Sequence, residues 1–112
     1  MEQTEQILGI REIREKEIRP LLREVVRIIR QHMPEESYRI LLFGSWATLD
    51  SLPTSDIDVA ILGPGPVKYL AMARIREEID HLPTLRKFDI VDLCRVEDRF
   101  RESVEKTAER LA

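Results

Sequence analysis

Apolar residues recur at three- and four-residue steps along the first third of the chain, with Glu and Arg between them. The set comprises Ile7, Ile10, Ile13, Ile18, Leu21, Leu22, Val25, Ile28 and Ile29. This period predicts a helix from residue 2 to about residue 32. Pro20 interrupts the pattern, because proline lacks an N–H and its ring clashes with the preceding turn. We therefore expect either a kink or two helices, with Pro20 in the first turn of the second.

Two continuous apolar runs follow and predict two buried strands. The first strand, residues 38–43, contains the apolar run 40–43, which ends abruptly at Gly44-Ser45 and favours a central position in a sheet. The second, residues 57–62, is stopped by the Gly and Pro residues at 63–66. Between them, Ser45 is placed to cap a short helix that extends to about residue 48 or 49.

The remaining periodicity predicts a helix, a strand and a last helix. Val67, Leu70, Met72, Ile75, Ile79 and Leu82 give the first of these helices a buried face, with Pro66 in its first turn. Residues 88–93 predict a third strand. Phe100, Val104, Ala108 and Leu111 mark a short C-terminal helix. The order α-β-α-β-α-β-α predicts an α/β (α+β) fold in which helices cover a small sheet.

The length of 112 residues predicts one domain, residues 1–112. We divide it into an N-terminal helical extension (1–19), a core (20–96) and a C-terminal helix (97–112). The apolar stripe of the extension is equally consistent with packing on a partner chain and with a simple enlargement of the core.

Composition narrows the class of protein. Apolar residues make up 43% and charged residues 35%, which predicts a globular chain, and the net charge of -3 gives no general attraction to long nucleic acid or to an anionic membrane. Cys94 is the single cysteine, so neither an internal disulfide nor a four-thiolate zinc site is expected. No apolar run approaches the roughly 18 residues of a membrane span, and the first residues do not resemble a signal peptide. We expect a cytoplasmic protein.

The chemistry centres on two carboxylates in the second predicted strand. Asp56 and Asp58 are two residues apart, so both point to one face, while Ile57, Val59 and Ile61 point to the other. Adjacent carboxylates repel each other beside a core, and a bound divalent cation is the commonest reason for such a pair. Hard oxygen ligands favour Mg²⁺, or Mn²⁺ in its place. The alternative is an exposed turn at a sheet edge.

Gly44 and Ser45 are candidates for binding phosphate. Gly44 permits close approach of the backbone, and Ser45 offers an N–H and a hydroxyl at the start of a helix, a suitable site for the β- and γ-phosphates of a nucleoside triphosphate. An ordinary strand-to-helix turn with a serine cap is the alternative. Trp46, next in sequence, either packs into the core or stacks on a base.

The pattern Gly-Ser, ten residues, Asp-x-Asp resembles the minimal nucleotidyltransferases of the DNA polymerase β-like superfamily. A third element, Lys87-Phe-Asp-Ile-Val-Asp-Leu93, is similar to the strand that carries the third carboxylate in that family. The resemblance extends from about residue 21 to residue 93. It implies the polymerase β-like nucleotidyltransferase fold, with a mixed sheet of three or more strands.

The resemblance also implies a site. Asp56, Asp58 and Asp89 would be the catalytic residues and the ligands of two Mg²⁺ ions, Gly44 and Ser45 would bind the phosphates, and ATP would be the substrate. Asp89 matches the position of the third carboxylate better than Asp92, which lies three residues further along the strand and so on the opposite face.

The sequence departs from the family pattern directly after the Gly-Ser turn. Many relatives have Gly-Ser-Arg-Ala-Arg-Gly or Gly-Ser-Trp-Ala-Arg-Gly, whereas this chain has Gly-Ser-Trp-Ala followed by Thr48 and Leu49. If the family Arg holds the triphosphate, nucleotide binding is weaker here or another cation replaces it. Candidate replacements are Arg39, Arg86 and Lys87.

A single nucleotidyltransferase domain of this small size resembles the antitoxin half of HEPN/MNT toxin–antitoxin pairs, of the MntA type. That resemblance implies transfer of AMP from ATP to a tyrosine of a HEPN ribonuclease toxin encoded nearby, in a complex with that partner. A second hypothesis is a catalytically weak antitoxin that neutralises its partner by stoichiometric binding through the N-terminal helix. A third is a small-molecule nucleotidyltransferase of the aminoglycoside-modifying kind, with an acceptor pocket formed by a homodimer.

Overall fold

A helical arm, a four-stranded sheet and three further helices make up residues 9–112, the part of the chain that the computed structural model describes. The helices are α1 (Arg19–His32), α2 (Ser45–Thr48), α3 (Tyr69–Asp80) and α4 (Asp98–Thr107). The strands are β1 (Arg39–Phe43), β2 (Ile57–Leu62), β3 (Phe88–Asp92) and β4 (Glu109–Arg110). The predicted start of the first helix, residues 2–8, lies outside the described residues.

The helical arm continues through Pro20 without a break. Residues 9–13 are α-helical, Arg14–Ile18 form a π-helical segment, and Pro20 lies in the first turn of α1. The backbone N–H of Arg19 bonds to the carbonyl of Arg14, five residues back, which is the wider π spacing. This wider turn accommodates the proline ring, which an unbroken α-helix would not. Pro20 thus lies in the first turn of the second α-helical segment, as predicted, but the π-helical turn joins that segment to the first without a break.

The sheet has the strand order β3-β2-β1-β4. β1 is antiparallel to both of its neighbours, whereas β2 and β3 are parallel and are connected through α3. The sheet is therefore mixed, as expected, and β1 has the interior position that its continuous apolar run predicts.

The two faces of the sheet carry different side chains. We call one the inner face: it presents Ile40, Leu42, Ile57, Val59, Ile61 and Ile90, and packs with buried residues of α1 and α3. We call the other the outer face: it presents Leu41, Phe43, Ala60 and Leu62, which pack with Leu93 and with Val104 of α4. The alternation along β2 thus follows the sequence pattern.

The C-terminal residues correct the prediction of a last helix. α4 ends at Thr107, Ala108 is extended, and β4 follows. The N–H of Leu111 donates a 2.7 Å hydrogen bond to the carbonyl of Ile40 on β1. Glu, Arg and Ala favour a helix, but the edge of β1 offers unpaired backbone groups, and pairing with them outweighs local propensity.

The helix predicted after the second strand begins later than its sequence indicates. The N-cap of α3 is Lys68, so Pro66 precedes the helix and does not occupy its first turn. The N–H of Val67 is instead bound by the side chain of Asp92 at 2.8 Å, which holds this segment outside the helix. Leu70, predicted to be buried, is 63% exposed.

No helix within residues 9–112 is long and apolar enough to cross a membrane.

Candidate functional site

Asp58 and Asp89 lie opposite each other on β2 and β3, in register across the parallel strand pair. Residues in register on paired strands point to the same face, so both carboxylates lie on the outer face. Asp56 precedes β2 and shares this face with Asp58 because it is two residues away. Phe43, the last residue of β1, pairs with Asp58 on the other side. The fold thus places all three predicted carboxylates on one face, at one end of the sheet.

The environment of Asp58 is electrostatically unfavourable for a charged carboxylate. Its side chain is half-buried, and burial, followed by the negative charges of Asp89 and Asp56, raises the pKa of Asp58 to about 6. Among the described residues, no Lys or Arg forms an ion pair with any of these three aspartates. The site is therefore a cluster of like charges.

This donor set has the chemistry that a hard divalent cation requires. Carboxylate oxygens are preferred ligands of Mg²⁺ and Mn²⁺, and a cation would offset the repulsion between the aspartates. Within residues 9–112, however, no three His, Cys, Asp or Glu side chains converge on one point as they stand. Asp56 and Asp89 are exposed, so their side chains are free to rotate toward Asp58 when a cation binds.

Gly44 brings the Gly-Ser turn against Asp58, and only glycine fits this position. Its φ of 73° and ψ of -156° are strained for any residue with a side chain. A Cβ on Gly44 would also lie 2.3 Å from Oδ2 of Asp58. The backbone of the turn therefore lies directly beside the carboxylates.

Ser45 begins α2 and does not cap it. The N-cap residue is Gly44, and no side chain makes a capping hydrogen bond to this short helix. The predicted capping role of Ser45 is wrong, because the unusual dihedral angles of Gly44 let the helix start without a cap. Ser45 is half-buried next to the carboxylate cluster.

Leu49 adopts a left-handed conformation, with φ 64° and ψ 26°. It is the only non-glycine residue with positive φ within residues 9–112. Thr48 beside it donates a 2.9 Å hydrogen bond to Oδ2 of Asp50. Glycine adopts this left-handed backbone more readily than leucine does, which explains why glycine suits position 49. The leucine of this chain gives no indication of that backbone conformation.

The three candidate replacement cations lie in different places. Arg39 starts β1 at the far end of the sheet from Gly44 and pairs with Glu105 at 3.4 Å. Arg86 lies over the ring of Trp46, with its guanidinium carbon 5.6 Å from the ring centroid. Lys87 is exposed and is two residues before Asp89, so alternation directs its side chain to the outer face. Arg39 also points to the outer face, two residues before Leu41, but at its far end, so Lys87 alone of the three lies on this face at the end where the carboxylates are.

Trp46 is fully buried in the inner core, which confirms packing over base stacking. Its indole N–H donates a 2.9 Å hydrogen bond to the carbonyl of Ser55, the residue before Asp56. The hydroxyl of Ser55 in turn accepts a 2.8 Å bond from the N–H of Leu52. The connection between the Gly-Ser turn and the aspartates is thus held by specific hydrogen bonds that no pattern in the sequence indicates.

Asp92 has a different environment from the other aspartates. It is buried at 6% exposure and, three residues after Asp89, lies toward the inner face. Its carboxylate accepts the N–H groups of Val67 at 2.8 Å and of Cys94 at 3.0 Å. These bonds give Asp92 a structural role in the loops around it.

Comparison with known proteins gives a consistent result. A family profile described as "Polymerase beta, Nucleotidyltransferase" matches residues 24–112. The chain is also similar to a probable protein adenylyltransferase MntA from Haemophilus influenzae. The two are 29% identical over 82 residues, which cover 73% of this chain and 70% of that protein.

Solved structures share the fold. One, described as a toxin–antitoxin with AMP-PNP, has a chain that matches with a TM-score of 0.64 and 22% identity, over 80% of this chain and 71% of that one. Another holds a tri-AMPylated Shewanella oneidensis HEPN toxin in complex with MNT antitoxin; a chain of it matches with a TM-score of 0.61 and 20% identity, over 84% and 71% of the two chains.

Proposed function

Because the chain belongs to the polymerase beta nucleotidyltransferase family, we propose that it is an antitoxin that transfers AMP from ATP to a hydroxyl of a partner protein. The observation that carries this proposal is the pairing of Asp58 with Asp89, with Asp56 on the same face and Gly44 against them. Nucleotidyl transfer uses this combination of clustered carboxylates and a phosphate-binding turn. The similarity to the probable adenylyltransferase MntA supports AMP as the transferred group.

Asp56, Asp58 and Asp89 would hold two Mg²⁺ ions, or Mn²⁺ in their place. When bound, such ions neutralise the triphosphate and polarise the phosphorus under attack. The raised pKa of Asp58 supports this assignment. Burial and the charges of Asp89 and Asp56 disfavour the ionised form of this carboxylate, and a bound cation would stabilise that form. The three carboxylates carry the same sign of charge as a triphosphate, so without a cation they cannot help to bind it.

The Gly-Ser turn and Lys87 supply the remaining contacts with ATP in this proposal. Gly44 has no side chain to exclude a phosphate, and Ser45 offers its N–H and hydroxyl beside the carboxylates. Lys87 lies on the same face and takes the place of the Arg that relatives carry at position 48. We therefore expect Lys87 to contact the leaving pyrophosphate.

The acceptor hydroxyl attacks the α-phosphorus of ATP. A new oxygen–phosphorus bond forms, the bond to the bridging oxygen of the β-phosphate breaks, and pyrophosphate leaves with that electron pair. Asp89 is exposed at the rim of the cluster, where it can accept the proton of the attacking hydroxyl. The partner that presents this hydroxyl is, in our proposal, a tyrosine-bearing HEPN toxin encoded nearby, as the toxin complexes of the same fold suggest.

Intact-mass spectrometry tests the proposal directly. The protein is incubated with ATP, Mg²⁺ and the product of the adjacent gene, and the mass of the partner is measured. We expect a gain of one or more AMP units that disappears in the Asp56→Asn/Asp58→Asn double variant. No gain on a partner that binds the protein and carries an exposed tyrosine would contradict adenylylation.

A second function, neutralisation by stoichiometric binding, is favoured by one observation. Thr48 and Leu49 replace the Arg and Gly of relatives, and Leu49 adopts its left-handed conformation without the residue best suited to it. A pure binder has no need for the three aspartates. The same double variant separates the two functions, because a binder keeps neutralising its partner after the carboxylates are neutralised and an enzyme does not.

A further inference from the structure

The guanidinium of Arg86 contacts three segments that are distant in sequence. Its carbon lies 5.6 Å from the centroid of the Trp46 ring. Nη1 donates a 2.7 Å hydrogen bond to the carbonyl of Pro53, and Nη2 lies 3.9 Å from a carboxylate oxygen of Glu17. The Arg86 side chain itself is 20% exposed, whereas the side chain of Glu17 is 59% exposed and the bond to Pro53 lies at the surface.

Two of these contacts, Trp46 and Pro53, lie in the stretch of chain between Ser45 and Asp56. Trp46 directly follows Ser45, and its buried indole donates to the carbonyl of Ser55, directly before Asp56. Pro53 lies in the same connection, three residues before Asp56. The guanidinium, the indole and two backbone carbonyls thus join the Gly-Ser turn to the segment that leads into the aspartate pair.

Arg86 also belongs to the segment that carries the third carboxylate. It is three residues before Asp89, and the carbonyl of the intervening Lys87 accepts a 2.9 Å hydrogen bond from the N–H of Ile57. Ile57 lies between Asp56 and Asp58. The strand pairing therefore begins directly beside Arg86, at the end of the sheet where the carboxylates lie.

We propose that Arg86 is the positioning residue of this site. From the inner side of the sheet, it holds the segments that carry Ser45, Asp56 and Asp89 at fixed distances from one another. It does so without touching substrate or metal. The proposal rests on the metal site of the proposed function. It also explains why Arg86 is not the replacement for the family Arg, because its guanidinium lies over the Trp46 ring and bonds to Pro53.

Lysine cannot perform this role. A planar guanidinium lies flat on an aromatic ring and donates from its edge at the same time, whereas an ammonium group is a compact point charge. Arg86→Lys therefore keeps the charge but loses either the contact with the Trp46 ring or the bond to Pro53. Because Arg86 is not itself one of the buried core residues and lysine keeps its charge and aliphatic stem, we expect the variant to fold.

A matched control exists at the opposite end of the sheet. The guanidinium carbon of Arg95 lies 3.9 Å from the ring centroid of Tyr69, and its Nη2 donates a 3.0 Å hydrogen bond to the carbonyl of Val67. Arg95→Lys removes the same kind of contact after β3 has ended, far from the carboxylates. It has no reason to alter the site.

The test is the affinity for Mn²⁺, measured by electron paramagnetic resonance on the full chain without nucleotide, at a temperature where each variant is folded. Changes to residues that orient metal ligands typically weaken binding about 10- to 100-fold, and we expect a loss in this range for Arg86→Lys and none for Arg95→Lys. The fluorescence emission of Trp46, the single tryptophan, reports whether the contact between its ring and residue 86 has changed. If Arg86→Lys fails to fold, Arg86→Gln replaces it.

The outcomes separate this inference from the function on which it rests. If the wild-type protein binds no Mn²⁺, the metal site of the proposed function is wrong and the role of Arg86 falls with it. If the wild type binds Mn²⁺ and Arg86→Lys binds it equally well, the positioning role alone is overturned. A merely structural role would lower the unfolding temperature and leave the affinity of the folded protein unchanged.

Discussion

Asp58 and Asp89 face each other in register across the parallel pair of β2 and β3. No hydrophobic or hydrogen-bonding requirement of the sheet calls for two carboxylates there, and their mutual repulsion disfavours the folded state. Asp56 adds a third negative charge on the same face, and together with burial these charges raise the pKa of Asp58 to about 6. In the absence of a cation this repulsion lowers the free energy of unfolding, so its removal by substitution can be measured.

The first prediction is that Asp58→Asn stabilises the metal-free protein at about pH 7. The pKa of Asp58 rises from the ordinary 3.8 to about 6 in the folded state, so the folded protein holds this proton more tightly than the unfolded chain. Stability therefore falls as the pH rises from about 4 to about 6, and the Asn variant escapes this loss. After allowance for solvent screening of a half-buried group, we expect a gain of about 1 kcal/mol.

Urea unfolding across this pH range, with a chelator present, measures the effect. The gain should shrink toward pH 4 and vanish below about pH 3, where Asp58 is protonated in both states. Asp56→Asn, at an exposed position on the same face, is the matched control and should show a smaller effect. Equal gains for the two variants, or a gain that does not depend on pH, would contradict the pKa of Asp58.

The second prediction is that Mg²⁺ or Mn²⁺ stabilises the wild-type protein but not Asp56→Asn/Asp58→Asn. A cation that binds only the folded state adds stability in proportion to RT ln(1 + [L]/Kd), which is about 1–3 kcal/mol at 10 to 100 times Kd. Thermal unfolding with and without the cation measures it. Glu105→Gln removes a carboxylate that pairs with Arg39 at the far end of the sheet and should leave the stabilisation intact. Stabilisation that survives in the double variant would place the cation at another site.

The third prediction separates Asp89 from Asp92. Asp92→Ala leaves the buried N–H groups of Val67 and Cys94 without their acceptor, which should cost about 2–3 kcal/mol of unfolding free energy. Asp89→Asn, at an exposed position, should change stability little and abolish transfer of AMP. Urea unfolding and the intact-mass assay on both variants measure the two effects. The reverse result, with transfer lost only in a well-folded Asp92 variant, would exchange their roles.

The fourth prediction concerns Gly44. Gly44→Ala introduces a Cβ at a positive φ and only 2.3 Å from Oδ2 of Asp58, so either the turn or the carboxylate must shift. We expect a loss of about 2–3 kcal/mol of stability together with weaker Mn²⁺ binding. Gly65→Ala is the control, because no atom lies within 4 Å of a Cβ added there. Wild-type metal affinity in Gly44→Ala would show that the turn does not define the position of Asp58.

The sequence predicts the parts of this fold in which local pattern and packing agree. Alternation along residues 57–62 correctly separates the carboxylates from Ile57, Val59 and Ile61, and the unbroken apolar run of β1 correctly predicts an interior strand. The two-residue spacing of Asp56 and Asp58 also places these two carboxylates on one face, whereas Asp89 is added to them only through the family resemblance. These features depend on the two-residue period of a strand, which a single sequence displays directly.

Other features depend on contacts between segments that are distant in sequence, so no local pattern reveals them. The edge of β1 draws residues 109–110 into a strand although their composition favours helix. The carboxylate of Asp92 delays the start of α3 through its bond to Val67. The contact of Arg86 with the Trp46 ring brings together side chains 40 positions apart, whereas the charge of Arg86 alone favours a phosphate ligand.

The last prediction concerns Leu49, whose left-handed conformation reverses the usual order of alanine and glycine. At an ordinary helical or extended position, replacing a residue with glycine costs more stability than replacing it with alanine. At φ 64° and ψ 26° an alanine retains the steric penalty of its Cβ, whereas glycine does not. Both changes lose the packing of Leu49 against the core, so their difference isolates the backbone.

We therefore expect Leu49→Gly to be more stable than Leu49→Ala by about 1 kcal/mol in urea unfolding. Leu52, an exposed residue in the same connection with no positive φ, provides the control pair, and there the alanine variant should be at least as stable as the glycine variant. If alanine is the better replacement at both positions, Leu49 is not held in the left-handed conformation in solution. If glycine is better only at position 49, the backbone of the family pattern persists here although its glycine has been replaced.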